Sequence, residues 1–260
     1  MEKNPVKIVV IGGGSGLSVV LRGLKHYTSD ITAIVTVADD GGSSGDLRED
    51  LGMLPPGDIR NCIVALSNTE EIMESLMQYR FKDGKLKGQS LGNLLIAGLV
   101  DLTGTMESAL RHVHDIFAVT GRVLPVSNDD ITLYAKLDNG LIVKGESKIP
   151  LMSLKYKTGI ERVFIEPSQA RGLEDSIHAI LDADLVMLGP GSLYTSILPN
   201  LLIEDIQDAL KRTTAKKVLV ANLMTQPGET DHLDFIGHIE ALLDHTHEDL
   251  MDYILINKAS

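Results

Sequence analysis

Residues Lys7 to Leu24, KIVVIGGGSGLSVVLRGL, constrain this chain more than any other stretch. Lys7 to Ile11 read as a short buried strand rich in β-branched side chains. The run Gly12, Gly13, Gly14, Ser15, Gly16 interrupts it, and Leu17, Val20, Leu21 and Leu24 then recur at helical spacing. A strand, a glycine turn and a helix form the opening unit of an α/β domain. Glycines let backbone amides approach an anion closely, and the helix N-terminus behind them carries partial positive charge. The turn is not a dinucleotide fingerprint, because Leu17 stands where the third glycine belongs. Nor is it a Walker A loop, since no Gly-Lys-Ser/Thr follows at the required spacing. A tight βα connection without a ligand would use the same residues.

The chain has 260 residues and a formal net charge of −12. That charge argues against a nucleic-acid surface and sets a condition on any phosphate ligand. An acidic protein holding a nucleotide needs oriented amides, a few local cations or a bridging divalent metal such as Mg²⁺. No apolar run is long enough for a membrane span, and the N-terminal run is too short for a signal peptide. A single cysteine, Cys62, allows no intrachain disulfide and suits a cytoplasmic location. It lies in the apolar helical stretch RNCIVAL and reads as a core residue.

A second apolar strand, Ile31 to Ala38, runs into Asp39, Asp40, Gly41, Gly42, Ser43, Ser44, Gly45 and Asp46. One carboxylate here would suit a ribose hydroxyl. Two, Asp39 and Asp40, would suit a hydrated Mg²⁺ against a substrate phosphate. A turn, PPGDIRN, follows, with Asp58 placed to cap the next helix and Arg60 in its first turn. A cation there opposes the helix dipole, a cost offset if Arg60 reaches an anion. Ser90 reads as a helix cap. Gly92 and Asn93, poor helix formers, fall in that helix's first turn and point to close approach of another chain or a ligand. His112 and His114, and likewise His245 and His247, lie two apart and read as surface or packing residues.

After Gly121 the pattern becomes alternating: Ile131, Leu133, Ala135 and Leu137 interleave with polar residues, and Asn139-Gly140 signals a hairpin. This predicts a small antiparallel insert or sheet extension over residues 122 to 166. The α/β rhythm returns after Gly172. A strand, Asp184 to Leu188, leads into a second glycine turn, Gly189, Pro190, Gly191, Ser192, and a helix start carrying Thr195 and Ser196. A further strand, Lys217 to Ala221, ends at Asn222 and the loop Gln226 to Asp231. The last strand is Tyr253 to Ile256. The four motif-bearing loops, at Gly12, Asp39, Gly189 and Asn222, each follow a predicted strand. In a parallel sheet such loops emerge at one carboxyl edge, where ligands of open α/β sheets bind. The prediction is therefore one domain over 1 to 260, a Rossmann-like three-layer α/β fold with a mainly parallel sheet and a convergent site.

Taken in order, IGGGSG, ADDGGSSGDLR, PPGDIRN, GNLL, LGPGSLYTSILPNLL and NLMTQPGETD resemble the gluconeogenesis-factor family. That family is similar to the 2-phospho-L-lactate transferases of deazaflavin cofactor synthesis, the CofD-like superfamily. The resemblance spans nearly the whole chain and implies a Rossmann-like fold with a crevice for a nucleotide diphosphate. For the gluconeogenesis-factor branch it implies a cytoplasmic regulator that binds UDP-sugars, notably UDP-N-acetylglucosamine, and acts on carbon flow and cell shape. The transferases use a guanosine-linked donor and Mg²⁺, which here would fall to Asp39 and Asp40. The chain stops short of the C-terminal portion usual in that branch. A nicotinamide oxidoreductase is disfavoured by Leu17. The ligand set expected from residues and resemblance together is Gly12, Gly13, Gly14, Ser15, Gly16, Asp39, Asp40, Gly41, Arg60, Asn93, Gly189, Gly191, Ser192 and Asn222. The expected partner is a nucleotide diphosphate sugar, with the oligomeric state open.

Overall fold

A computed structural model describes residues 5 to 257. Among these residues nine strands form two sheets. β1 (Ile8–Gly12), β2 (Ile31–Val35), β3 (Arg122–Pro125), β7 (Leu185–Leu188), β8 (Lys216–Val220) and β9 (Tyr253–Leu255) make a six-stranded sheet. Its order is β3-β2-β1-β7-β8-β9 and every pairing in it is parallel. β4 (Thr132–Leu137), β5 (Ile142–Lys144) and β6 (Ile160–Glu166) form a separate antiparallel sheet in the order β5-β4-β6. The helices are α1 (Gly14–Leu24), α2 (Gly42–Leu51), α3 (Gly57–Leu66), α4 (Glu71–Gln78), α5 (Leu91–Thr103) and α6 (Met106–Ile116). They continue with α7 (Ile149–Tyr156), α8 (Glu174–Leu181), α9 (Leu198–Leu201), α10 (Glu204–Arg212) and α11 (Phe235–Asp244).

The central strands are buried on both faces, so their residues are apolar without alternation. Successive side chains of β1 serve opposite layers. Ile8 and Val10 pack with Leu17, Leu21, Ile59, Ile63 and Ile96 on the face covered by α1, α3, α5 and α6. Val9 and Ile11 pack with Leu193, Ile197, Leu201, Ile206 and the inner face of the antiparallel sheet. Two histidines buttress strands by accepting backbone hydrogen bonds. His114 Nε2 takes the Val123 amide (3.1 Å) and His245 Nε2 takes the Val163 amide (2.9 Å), which accounts for both as packing residues.

The topology places the crevice. From β1 the chain proceeds outward to β2 and β3, whereas β7, on β1's other side, leads away to β8 and β9. The loops leaving β1 and β7 therefore diverge at the carboxyl edge and leave a cleft between them.

The segment grouped as an insert over 122 to 166 divides differently. β3 is the edge strand of the main sheet, paired with β2, and only the part from β4 onward is antiparallel. Four residues, three of them buried in a row, do not reveal which sheet they join; β3 is placed by an open edge on β2. The hairpin forms at Asn139-Gly140, with the Leu137 amide donating to Leu141 O (2.9 Å). Tyr134 stacks on Phe164 across the β4–β6 pair. Arg48 fastens this sheet to the rest by donating to Ile131 O (2.6 Å) and pairing with Asp130.

Candidate functional site

At the carboxyl edge between β1 and β7 lies a cavity of about 620 Å³. Its base is Gly13, Gly14, Ser15 and Gly16 from one side, and Gly191 and Ser192 from the other. The first turn is packed so closely by the second turn and by Thr36 that side chains are excluded. A Cβ on Gly13 would stand 2.6 Å from Thr36 Cγ2, and one on Gly16 would stand 3.0 Å from Pro190 O. α1 starts here with Gly13 as its N-cap and no side-chain cap from that residue. Gly14 has φ +67°, which allows the chain to enter the helix directly from β1.

The second turn is held from behind. Asn222 clamps Gly191 from both sides, accepting from its amide (3.1 Å) and donating to its carbonyl (2.7 Å). Asn200, fully buried, donates to Ser196 O (2.7 Å) and to Gly12 O (3.3 Å), joining the turn to β1. The expected helix start after Ser192 is a π-helical turn, Leu193–Ile197, followed by the short α9. Ser192 makes no cap bond; its hydroxyl accepts from Gln226 Nε2 (2.5 Å). Gln226 Oε1 and Glu229 Oε2 are buried without a partner beside it.

Three carboxylates also line the cavity: Asp39, Asp58 and Glu146. Asp58 is not the cap of its own helix. It lies inside α3, whose N-cap is Pro56, and its Oδ2 accepts from the Gly14 amide at 2.6 Å. It thus caps α1 from 44 residues away. Burial, with Asp39's charge adding to it, pushes its carboxyl up to about 6, against the lowering effect of the Gly14 amide. Burial raises Asp39 as well, opposed by the Gly41 amide that donates to its Oδ1 (2.9 Å) and by the Ser44 hydroxyl. Glu146, from the 3₁₀ turn after β5, is pushed up to about 8 by burial and by the charges of Asp39, Asp40, Asp58 and Glu229.

The expected residues divide into three groups. Gly13, Gly14, Ser15, Gly16, Asp39, Gly191, Ser192 and Asn222 line the cavity, while Gly12 and Gly189 lie beneath it at the buried strand ends. Gly41, Arg60 and Asn93 line a neighbouring cavity of about 320 Å³. Asp40 lines neither of these two: its Oδ1 accepts from the Ser147 amide (2.8 Å) and ties the loop to the antiparallel sheet. The expected Asp39–Asp40 pair is therefore parted. Of the three carboxylates that share the cleft, Asp39 and Asp58 are the two that would hold the Mg²⁺ that a transferase reading implies. Among the described residues no group of three or more His, Cys, Asp or Glu is arranged to hold a metal by itself. Ser90 occupies the N-cap of α5 without a side-chain cap bond; its hydroxyl accepts from Arg60. Gly92 is a close approach, since a Cβ there would stand 2.3 Å from Met77 O.

Sequence reasoning gave Asp58 only a capping role and missed Glu146, Thr36, Leu223 and Met224. Asp58 had a usable signal, a carboxylate directly after a Pro-Pro-Gly turn. Glu146 had none, being brought in by the antiparallel sheet.

These features define a Rossmann-like α/β protein with a ligand crevice at the carboxyl edge of its parallel sheet. The chain belongs to the family described as 2-phospho-L-lactate transferase CofD, which matches residues 8–260, and to its gluconeogenesis-factor group. A putative gluconeogenesis factor of Clostridium acetobutylicum is 57% identical over 260 residues, covering 100% of this chain and 57% of the relative. One from Thermoanaerobacterium thermosulfurigenes is 57% identical over 254 residues, covering 98% and 78%. The gluconeogenesis factor of Bacillus subtilis is 50% identical over 252 residues, covering 96% and 78%. The chain thus spans little more than half the length of the Clostridium relative. An X-ray structure of a Bacillus halodurans protein superposes with a TM-score of 0.94 at 48% identity, covering 99% of this chain and 82% of that one. No helix among the described residues is long and apolar enough to cross a membrane.

Proposed function

We propose that this chain binds a nucleotide diphosphate sugar of the UDP-N-acetylglucosamine type in the glycine-lined cleft. In this reading it acts in the cytoplasm as a regulator of carbon flow and cell shape during gluconeogenic growth. The observation that carries it is the apposition of two glycine turns at the start of α1, where a diphosphate would meet the backbone amides that Asp58 leaves free. The names of the relatives support the gluconeogenic role. Two exposed apolar residues at the cleft, Leu223 and Met224, offer a surface for the base. The carboxylates do not forbid a polyanion. Glu146, raised to about 8, is protonated at neutral pH and serves as a donor. Asp39 and Asp58 already spend an oxygen each on backbone amides.

A second reading, a Mg²⁺-dependent transferase, is favoured by the family description and by the shared position of Asp39 and Asp58. Bound there, Mg²⁺ would neutralise charge developing on the transferred phosphate. The residues' own part would be to hold the ion and to orient the diphosphate on the α1 amides. Calorimetric titration with UDP-N-acetylglucosamine, in Mg²⁺ and in EDTA, separates the two. The regulator reading expects binding in both buffers, equal weakening by Asp39→Asn, and no product. Loss of wild-type binding in EDTA, with product formed in Mg²⁺, establishes the transferase instead.

A further inference from the structure

Arg60 is 8% exposed, yet no carboxylate of the described residues lies within ion-pair distance of it. Its guanidinium donates to the Ser90 hydroxyl and to Asn61 Oδ1 (2.8 Å), and its Nε is buried with no partner. It faces the cavity of about 320 Å³ beside the glycine cleft. Arg80 lines the same cavity, held by a bond from Nη1 to Gly88 O (2.6 Å). Asn93, 2% exposed, also lines it; its Nδ2 donates to Ser43 Oγ (3.2 Å) while its Oδ1 is buried without a partner. Finally, α2 begins here: its N-cap, Gly41, offers no side-chain cap, and residues 41 to 44 line the cavity.

A buried guanidinium without a counter-ion is costly, and Arg60, with the exposed Arg80 across the same cavity and a helix N-terminus beside both, calls for an anion. An unpartnered buried carbonyl calls for a donor next to that anion. We propose that this cavity is a phosphate subsite distinct from the glycine turns. It takes the phosphomonoester of a small hydroxylated molecule, with Arg60, Arg80 and the α2 amides on the phosphate and Asn93 Oδ1 on a neighbouring hydroxyl. Asp39 and Asp58 line both cavities, so a molecule seated here lies alongside whatever fills the glycine cleft. The proposal deepens the reading of the nucleotide cleft but does not depend on a nucleotide being bound.

The test is calorimetric titration of the full chain with inorganic phosphate, glucose 6-phosphate, glucose and acetate. Wild type binds both phosphates, glucose 6-phosphate more tightly, and binds glucose and acetate at least tenfold more weakly. Arg80→Gln, a change at an exposed side chain, weakens both phosphates at least tenfold, and Asn93→Leu, which removes Oδ1, abolishes the preference for glucose 6-phosphate. Should Asn93→Leu fail to fold, Arg80→Gln still decides. The proposal is overturned if wild type ignores phosphate, if acetate binds as well, or if Arg80→Gln leaves phosphate affinity intact while Ser192→Ala abolishes it. Titrating UDP-N-acetylglucosamine into the same proteins keeps the two readings apart. Its failure to bind wild type sinks the nucleotide reading alone, and loss of phosphate binding in Arg80→Gln stands regardless.

Discussion

Replacing Asp58 by Asn removes a buried charge while keeping the shape and an oxygen for the Gly14 amide. The ordinary carboxyl value of 3.8 becomes about 6 in the fold, chiefly through burial. The folded state therefore holds the proton more tightly than the unfolded chain. Asp58's contribution is fully present below the unfolded value and is lost as pH rises through the folded one. Each pKa unit corresponds to 1.36 kcal/mol, so the whole window is worth about 3 kcal/mol. Roughly 1 kcal/mol of it falls between pH 5 and pH 7. Urea unfolding of wild type and Asp58→Asn over that range gives the difference in stability at each pH, and groups that titrate equally in both proteins cancel. Wild type should lose about 1 kcal/mol relative to the variant from pH 5 to pH 7, then run parallel to it above. A flat difference curve, or a wild type that gains on the variant with pH, would refute the burial argument.

Nucleotide-sugar affinity should fall about tenfold between pH 7 and pH 9 as Glu146 ionises against the diphosphate, the limit for one proton titrating near 8. Glu146→Gln should flatten that profile in a calorimetric series; an unchanged slope would remove Glu146 from the site. Gly13→Ala forces a methyl to within 2.6 Å of Thr36 Cγ2 and 2.7 Å of Asp58 Oδ2. It should cost about 1–3 kcal/mol, read as a lower urea midpoint, and a neutral result would show that Thr36 yields. Cys62 is fully buried and its thiol is pushed well up by burial, so an aromatic disulfide reagent should label it only as the protein unfolds. Rapid labelling of the folded protein would contradict the packing of α3.

Local order in this chain is written in local residues. Apolar runs ending in glycine specified β1 and β7, period-two alternation specified β4, and Asn139-Gly140 specified its hairpin, because each depends on residues within one turn or one strand. Parallel strands also carry their exit loops to one edge, so the meeting of Gly13, Asp39, Gly191 and Asn222 was readable without coordinates. What tertiary structure alone decided was the direction of the polar side chains. Asp58 stands at the start of α3 but caps α1, because the packing of these helices brings the Gly14 amide nearer than its own helix end. Asp39 and Asp40 are neighbours in sequence, yet one faces the cleft and the other the Ser147 amide, 107 residues on. Successive side chains on a non-helical segment diverge. Which partner each meets depends on elements that pack around the loop, and for Asp40 and Glu146 that element is the antiparallel sheet, whose docking no local pattern encodes.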